Sequence, residues 1–278
     1  MLGGLDIGLF AALGLTAGIL SGLFGIGGGM IIVPGLFYLF RLVHLPSDWL
    51  MHLAAGSSMC IMVFTSMSSA WSHHLRGDVQ WSIFRRILPT LAIGVIFGKL
   101  LSYRLNSDYL ECVFGLFLVL IASKILFNWL PKPENPGEPS APLTNAVGAV
   151  LGFKSGVLGI GGGAISVPFL LYSGLAMSQA SGTSAAFTLP IALVGTLSCL
   201  TLNTPDFALP LATGTIYWPA VALVAPFTML GAPLGTRLCH QIPSAQLKRC
   251  FALFLMMLGL RLLLEFAQAF VSSGFQTL

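Results

Sequence analysis

The chain has 278 residues, of which 56% are hydrophobic and 8% charged, and its formal net charge is +4. Ordinary soluble domains carry about 25% charged residues, and a soluble surface this apolar would aggregate. The basic residues are scattered at the ends of apolar runs, with no stripe of the kind that binds nucleic acid.

The opening residues, MLGGLDIGLFAALGLTAGIL, have no basic leading region and no cleavage pattern, so they read as a retained membrane segment. Apolar runs lie at 7–24, 30–43, 50–72, 82–103 and 109–130. The stretch PKPENPGEPSAP (131–142), rich in proline and acid, reads as a linker between two membrane units, 1–130 and 143–278. Runs resume at 143–158, 164–177, 181–201, 215–236 and 247–269. Most approach the ~20 residues that span a ~30 Å hydrocarbon core as helix. The fold class predicted is all-α: a polytopic membrane protein with about five helical segments in each of two repeats. Cys60, Cys112, Cys199, Cys239 and Cys250 form no CxxC pair, and His73 and His74, as neighbours, point to different helix faces. They read as buried apolar side chains and a segment boundary, with no metal site, no cofactor and no nucleotide-binding GxxxxGK[ST] loop.

The two halves repeat. LTAGILSGLFGIGGGMIIVP (15–34) matches AVLGFKSGVLGIGGGAISVP (149–168) at an offset of 134, and residues 77–98 match 214–235 at an offset of 137. Between them, Gly56-Ser57-Ser58 corresponds to Gly182-Thr183-Ser184. Tandem duplication of this kind marks many transporter folds. Arg76, Arg85 and Arg86 lie in the 73–86 loop of the first half, whereas its counterpart, 201–214, has neither Lys nor Arg. Arg237, Lys248 and Arg249 reverse the bias in the next loop. The rule that basic loops stay cytoplasmic then predicts inverted repeats with both termini outside. Inversion needs an odd number of crossings per half. Five helices meet that condition, and so do three spans plus a re-entrant pair. The 30–43 and 164–177 runs reach only ~21 Å at 1.5 Å per residue, which keeps re-entrance open.

The GIGGG runs at 25–29 and 159–163 carry the chemistry. Glycine runs make poor helix, and irregular backbone at membrane depth is tolerated only where it is buried in protein or lines a cavity. A new helix should follow each run, with Pro34 and Pro168 in its first turn. Its free N–H groups and positive dipole end suit an anion approaching bare backbone. The candidate contacts in the first half are Gly25, Gly27, Gly28 and Gly29, and in the second Gly159, Gly161, Gly162 and Gly163. Hydroxyls beside them, Ser21, Ser57 and Ser58 with Ser155, Thr183 and Ser184, would donate to an anion or bond back to their own helices. Lys154, where the first half has Leu20, is a candidate counter-charge. Lys99, Lys124 and Arg261 lie near segment ends and are expected to snorkel. Gly14, Gly18 and Gly22, and likewise Gly148, Gly152 and Gly156, are spaced for close helix packing.

The paired G-x-x-S-G-x-x-G-I-G-G-G-x-x-x-V-P stretches resemble those of the sulfite exporter TauE/SafE family of membrane permeases. The resemblance covers both glycine motifs, the GSS and GTS segments and the length of the chain. It implies secondary transport, with export as the expectation, of small sulfur-containing anions such as sulfite or organosulfonates in the bacterial inner membrane. The partners implied are a small anionic solute and the lipid bilayer, with a homo-oligomer left open. An anion channel or carboxylate permease of the same fold is an alternative. A membrane-embedded hydrolase using Ser21 or Ser155 with His52, His73 or His74 is a third, less favoured because no histidine is duplicated with the serines.

Overall fold

The computed structural model describes residues 4–25, 27–127, 140–202, 209–239 and 244–275. The first five helices are α1 (Gly4–Phe24), α2 (Gly29–Leu42), α3 (Leu50–His74), α4 (Trp81–Ser102) and α5 (Ser107–Leu126). The next five are α6 (Ala141–Leu158), α7 (Gly163–Tyr172), α8 (Met177–Thr201), α9 (Trp218–Cys239) and α10 (Ser244–Phe275). Among the described residues, five segments are long and apolar enough to cross a membrane: Ile7–Phe24, Ser47–His74, Ser107–Leu126, Met177–Thr201 and Trp218–Leu238. The protein is therefore all-α and polytopic, as its composition predicts.

Three boundaries depart from the apolar runs. The 164–177 run ends as helix at Tyr172, because Gly174 takes a left-handed φ of 86° and its N–H bonds back to the Leu171 carbonyl. The run expected from 215 begins instead as a two-residue strand, β2 (Ile216–Tyr217), antiparallel to β1 (Ala212–Thr213). Pro142, placed in the linker, sits in the first turn of α6, where its missing N–H costs nothing. The rest of that linker, to residue 139, lies outside the described residues.

The most extensive packing joins helices before the linker to helices after it: α1 with α9, α4 with α6, α5 with α10 and α3 with α8. Glycines permit the closest of these approaches. Gly14, Gly18 and Gly22 lie on the α9 backbone at Val224, Thr228 and Ala232, so α1 and α9 run parallel. Gly148, Gly152 and Gly156 lie on α4 at Ile87, Leu91 and Val95, and these two helices are parallel as well. Contacts of Met59 with Gly195 and of His73 with Gly182 set α3 and α8 antiparallel. Gly115 with Gly259, and Tyr109 with Phe266, do the same for α5 and α10. These directions make the ten helices alternate. One end of the bundle holds the start of α1 and the finish of α10, and is called here the termini end. The other, where α5 finishes and α6 begins, is the linker end.

Candidate functional site

The two glycine runs leave their helices at opposite ends and meet in the middle. α1 reaches the linker end, where the Gly22 carbonyl accepts a hydrogen bond from His73 near the end of α3. The chain then turns inward through Gly25, Gly27 and Gly28, all with positive φ. Gly28, at φ 76°, precedes α2, and a side chain in that left-handed conformation would cost roughly 1–2 kcal/mol. By Gly29 the backbone has come level with Met62, midway along α3. α2 then returns alone to the termini end; its 14 residues amount to ~21 Å at 1.5 Å each. In the second half, α6 ends at Gly159 (φ 70°), which packs on Ala55. There the run continues to α7, which begins at Gly163. The runs touch: a Cβ on Gly29 would lie 2.8 Å from the Ile160 Cα and 3.2 Å from the Gly159 carbonyl oxygen. Gly25, Gly27, Gly28 and Gly29, with Gly159, Gly161, Gly162 and Gly163, are all buried.

The new helices start earlier than expected. The Gly28 carbonyl already accepts from the Ile31 and Ile32 N–H groups at 2.9 and 3.0 Å, and Gly162 does the same for Ile165 and Ser166 at 3.1 Å each. Pro34 and Pro168 consequently lie inside the helices and not in the first turn.

The predicted hydroxyls divide into two groups. Ser57 accepts a hydrogen bond from the Tyr217 N–H at 2.9 Å, and its counterpart Thr183 accepts from the Gln80 N–H at 3.0 Å. Both fix the chain entering a neighbouring helix. Ser184 donates to the Gly25 carbonyl at 2.7 Å and accepts from Ser166 at 2.7 Å. Thr188 donates to the Ser184 carbonyl at 3.1 Å and faces the Gly162 N–H at 3.4 Å. Ser166 and Thr188 escape the sequence reading because their counterparts are Ile32 and Met62, so no repeated hydroxyl marks them. In the second group, the fully buried hydroxyls of Ser21, Ser58 and Ser155, with that of Ser181, have no hydrogen-bond partner among the described residues. Lys154 is buried, donates to the Gly161 carbonyl at 2.8 Å and lies 5.1 Å from the centre of the Phe117 ring. Its amino group thus ties α6 to the second glycine run.

The sulfite exporter TauE/SafE family model matches residues 10–262. The chain belongs to the sulfite exporter TauE/SafE family. It is 34% identical over 254 residues to a probable membrane transporter protein of Haemophilus influenzae, covering 91% of this chain and 96% of the relative. The probable membrane transporter protein YunE of Bacillus subtilis is 24% identical over 276 residues, covering 92% and 97%. One of the same description from Methanocaldococcus jannaschii is 26% identical over 261 residues, covering 92% and 95%. Family and composition together make the chain an integral membrane transporter.

In this TauE/SafE chain the two ends differ in their polar residues. At the linker end His73 is fully buried. Its Nε2 donates to the Gly22 carbonyl at 3.0 Å, and its Nδ1 lies 2.9 Å from Asp78 Oδ2. Both ring nitrogens face oxygens, so the ring is tied to α1 and to the stretch between α3 and α4. His73 is thus an interior residue as well as a segment boundary. At the termini end His52 directs Nε2 to the Ser102 carbonyl at 3.1 Å. Of the histidines named for a hydrolase, His73 and His52 therefore point to Asp78 and to backbone carbonyls, and His74 is exposed between the rings of Trp71 and Trp81. Lys99, expected to snorkel, is instead fully buried, with its Nζ 5.0 Å from the centre of the Tyr103 ring. Arg261 behaves as expected, exposed and paired with Glu265 at 3.1 Å.

Proposed function

We propose that the chain is a secondary transporter that exports small sulfur-containing anions, sulfite or organosulfonates, by alternating access between two inverted repeats, 1–130 and 143–278. The observation that carries the reading is the meeting of the two buried glycine runs, flanked by hydroxyls of Ser21, Ser58, Ser155 and Ser181 that have no partner among the described residues. A buried hydroxyl without a partner is costly, and an oxyanion would satisfy several at once. Backbone N–H groups at the starts of α2 and α7 add partial positive charge to the same place.

The packing directions favour inversion. Equivalent helices α3 and α8 run antiparallel, as do α5 and α10, while the α1–α9 and α4–α6 pairs exchange under the same operation. An axis in the membrane plane does this, and the solute site lies on it. Arg76, Arg85, Arg86 and Arg237 fall at or near the linker end, which is then cytoplasmic, with both termini outside the bacterial inner membrane. The burial of Lys99 removes one basic residue from the outer loops and strengthens that bias. With the interior negative, each anionic charge leaving gains ~2.3 kcal/mol per 100 mV.

Proteoliposomes test the reading. Labelled sulfite or methanesulfonate should move saturably, show counter-flow and respond to a clamped membrane potential. Flux that is insensitive to potential removes the voltage-assisted mechanism, non-saturable flux favours a channel, and carboxylate flux without sulfonate flux moves the substrate class.

A further inference from the structure

Lys99 is 0% exposed, yet its ammonium has no hydrogen-bond partner among the described residues. An ammonium offers three donors and accepts nothing. Left unpaired in the interior of a membrane protein, it carries a desolvation penalty of several kcal/mol. Its one close neighbour of note is the ring of Tyr103, whose centre lies 5.0 Å from Nζ.

The surroundings are polar and equally unsatisfied. Ser102 and Tyr103 follow Lys99 by three and four residues at the end of α4, so the three side chains share one face. The hydroxyls of Ser102, Tyr103 and Thr215 and the Nδ1 of His52 are all buried without a partner among the described residues. The Tyr103 hydroxyl faces Thr215 and the Cys199 thiol without completing a bond to either, and His52 lies close enough to feel the Lys99 charge. Four donor groups, one of them cationic, therefore lie at the end of α4 and on the chain that enters β2, beside α3 and the end of α8. Polar atoms left open together inside a protein mark the place of something that satisfies them.

This cluster adjoins the exterior. A cavity of about 620 Å³ opens at the termini end, lined in part by Asp48, Asn106, Ser107 and Asp108, and it shares His52 and Tyr103 with the Lys99 cluster. Asp48 and Asp108 make the outer cavity unfavourable for an anion, so attraction begins only behind His52 and Tyr103.

We propose that Lys99, Ser102, Tyr103 and Thr215 form a second anion-binding chamber, for one sulfonate- or sulfite-sized oxyanion, between the glycine crossing and the termini end. It rests on the reading of the chain as an anion transporter and adds a station on the side where the solute leaves. Tyr103 and His52 separate this chamber from the outer cavity, so their displacement releases the anion.

Isothermal titration with methanesulfonate, together with thermal unfolding, tests the chamber on the purified full chain. Lys99→Met should weaken methanesulfonate binding by about tenfold or more, the loss of one charge-assisted contact, while Lys99→Arg stays within about threefold. Without anion, Lys99→Met should unfold at a higher temperature than wild type, because a buried unpaired charge is gone. Saturating methanesulfonate should narrow that gap by stabilising wild type more than Lys99→Met. Equal affinity in wild type and Lys99→Met overturns the proposal, and so does a lower unfolding temperature for Lys99→Met with unchanged anion response. Binding at Lys99 without flux in proteoliposomes leaves the chamber standing and defeats the transport reading. Flux that Lys99→Met leaves untouched in rate and affinity does the opposite.

Discussion

At the linker end Gly182 packs against His73 and Asp78, and at the termini end its counterpart Gly56 packs against Thr215. The backbone solution is the same at both ends: a glycine on α3 or α8 receives the chain that leads into α4 or α9. The residues that fill the space differ. Where His73 and Asp78 pair across the linker end, Cys199 and Thr215 occupy the equivalent positions, and Lys99 stands where the other half has Thr236. Duplication thus preserved the glycines, whose role is steric and symmetric, and left the charges free to diverge. One end is closed by a polar pair; the other keeps buried donors without partners and a cavity leading to them. On the alternating-access mechanism proposed above, the two ends need not be chemically alike, since one receives solute and the other releases it.

The largest effect that would break this comparison is at the pair. Asp78→Ala strips a buried histidine of its partner and should cost about 3–5 kcal/mol, whereas Thr215→Val, which breaks no bond, should stay within about 0.5 kcal/mol. Denaturation of the two purified variants checks this, and equal losses would mean that the ends are held alike. The steric framework should respond symmetrically. Gly22→Val and Gly156→Val each drive a side chain into a facing helix backbone, at Ala232 and Val95 respectively, for about 1–3 kcal/mol apiece. Unfolding midpoints that drop for only one of them would sever the link between the α1–α9 and α4–α6 pairs. A smaller effect separates the hydroxyls. Ser184→Ala removes a bond to the Gly25 carbonyl and should destabilise by about 1–2 kcal/mol, while Ser58→Ala should leave stability within about 0.5 kcal/mol and weaken anion binding. Titration calorimetry and thermal unfolding of both would reveal a reversed pattern. The smallest is Thr183→Val, which leaves the Gln80 N–H unbonded for about 1 kcal/mol with anion affinity unchanged, read from the same two measurements.

The repeat, the helical segments and the glycine breaks were legible because each depends on local chemistry. Apolar length sets a helix, and a GIGGG run interrupts one whatever surrounds it. The packing role of Gly14, Gly18 and Gly22 was readable for the same reason: spacing by four puts them on one helix face. Side-chain partners were not legible. Ser57 and Ser58 are neighbours of one type, yet only the first meets an N–H, from a residue 160 positions away. Lys99 near a helix end was expected to reach outward, and Lys154 to meet a solute. The first is fully buried inside the bundle, and the carbonyl of Gly161 binds the second. The sequence by itself determined an all-α membrane protein with a duplicated glycine break. Only the tertiary structure decided which polar groups are satisfied by the chain and which are left open, because that depends on helices brought together from opposite halves.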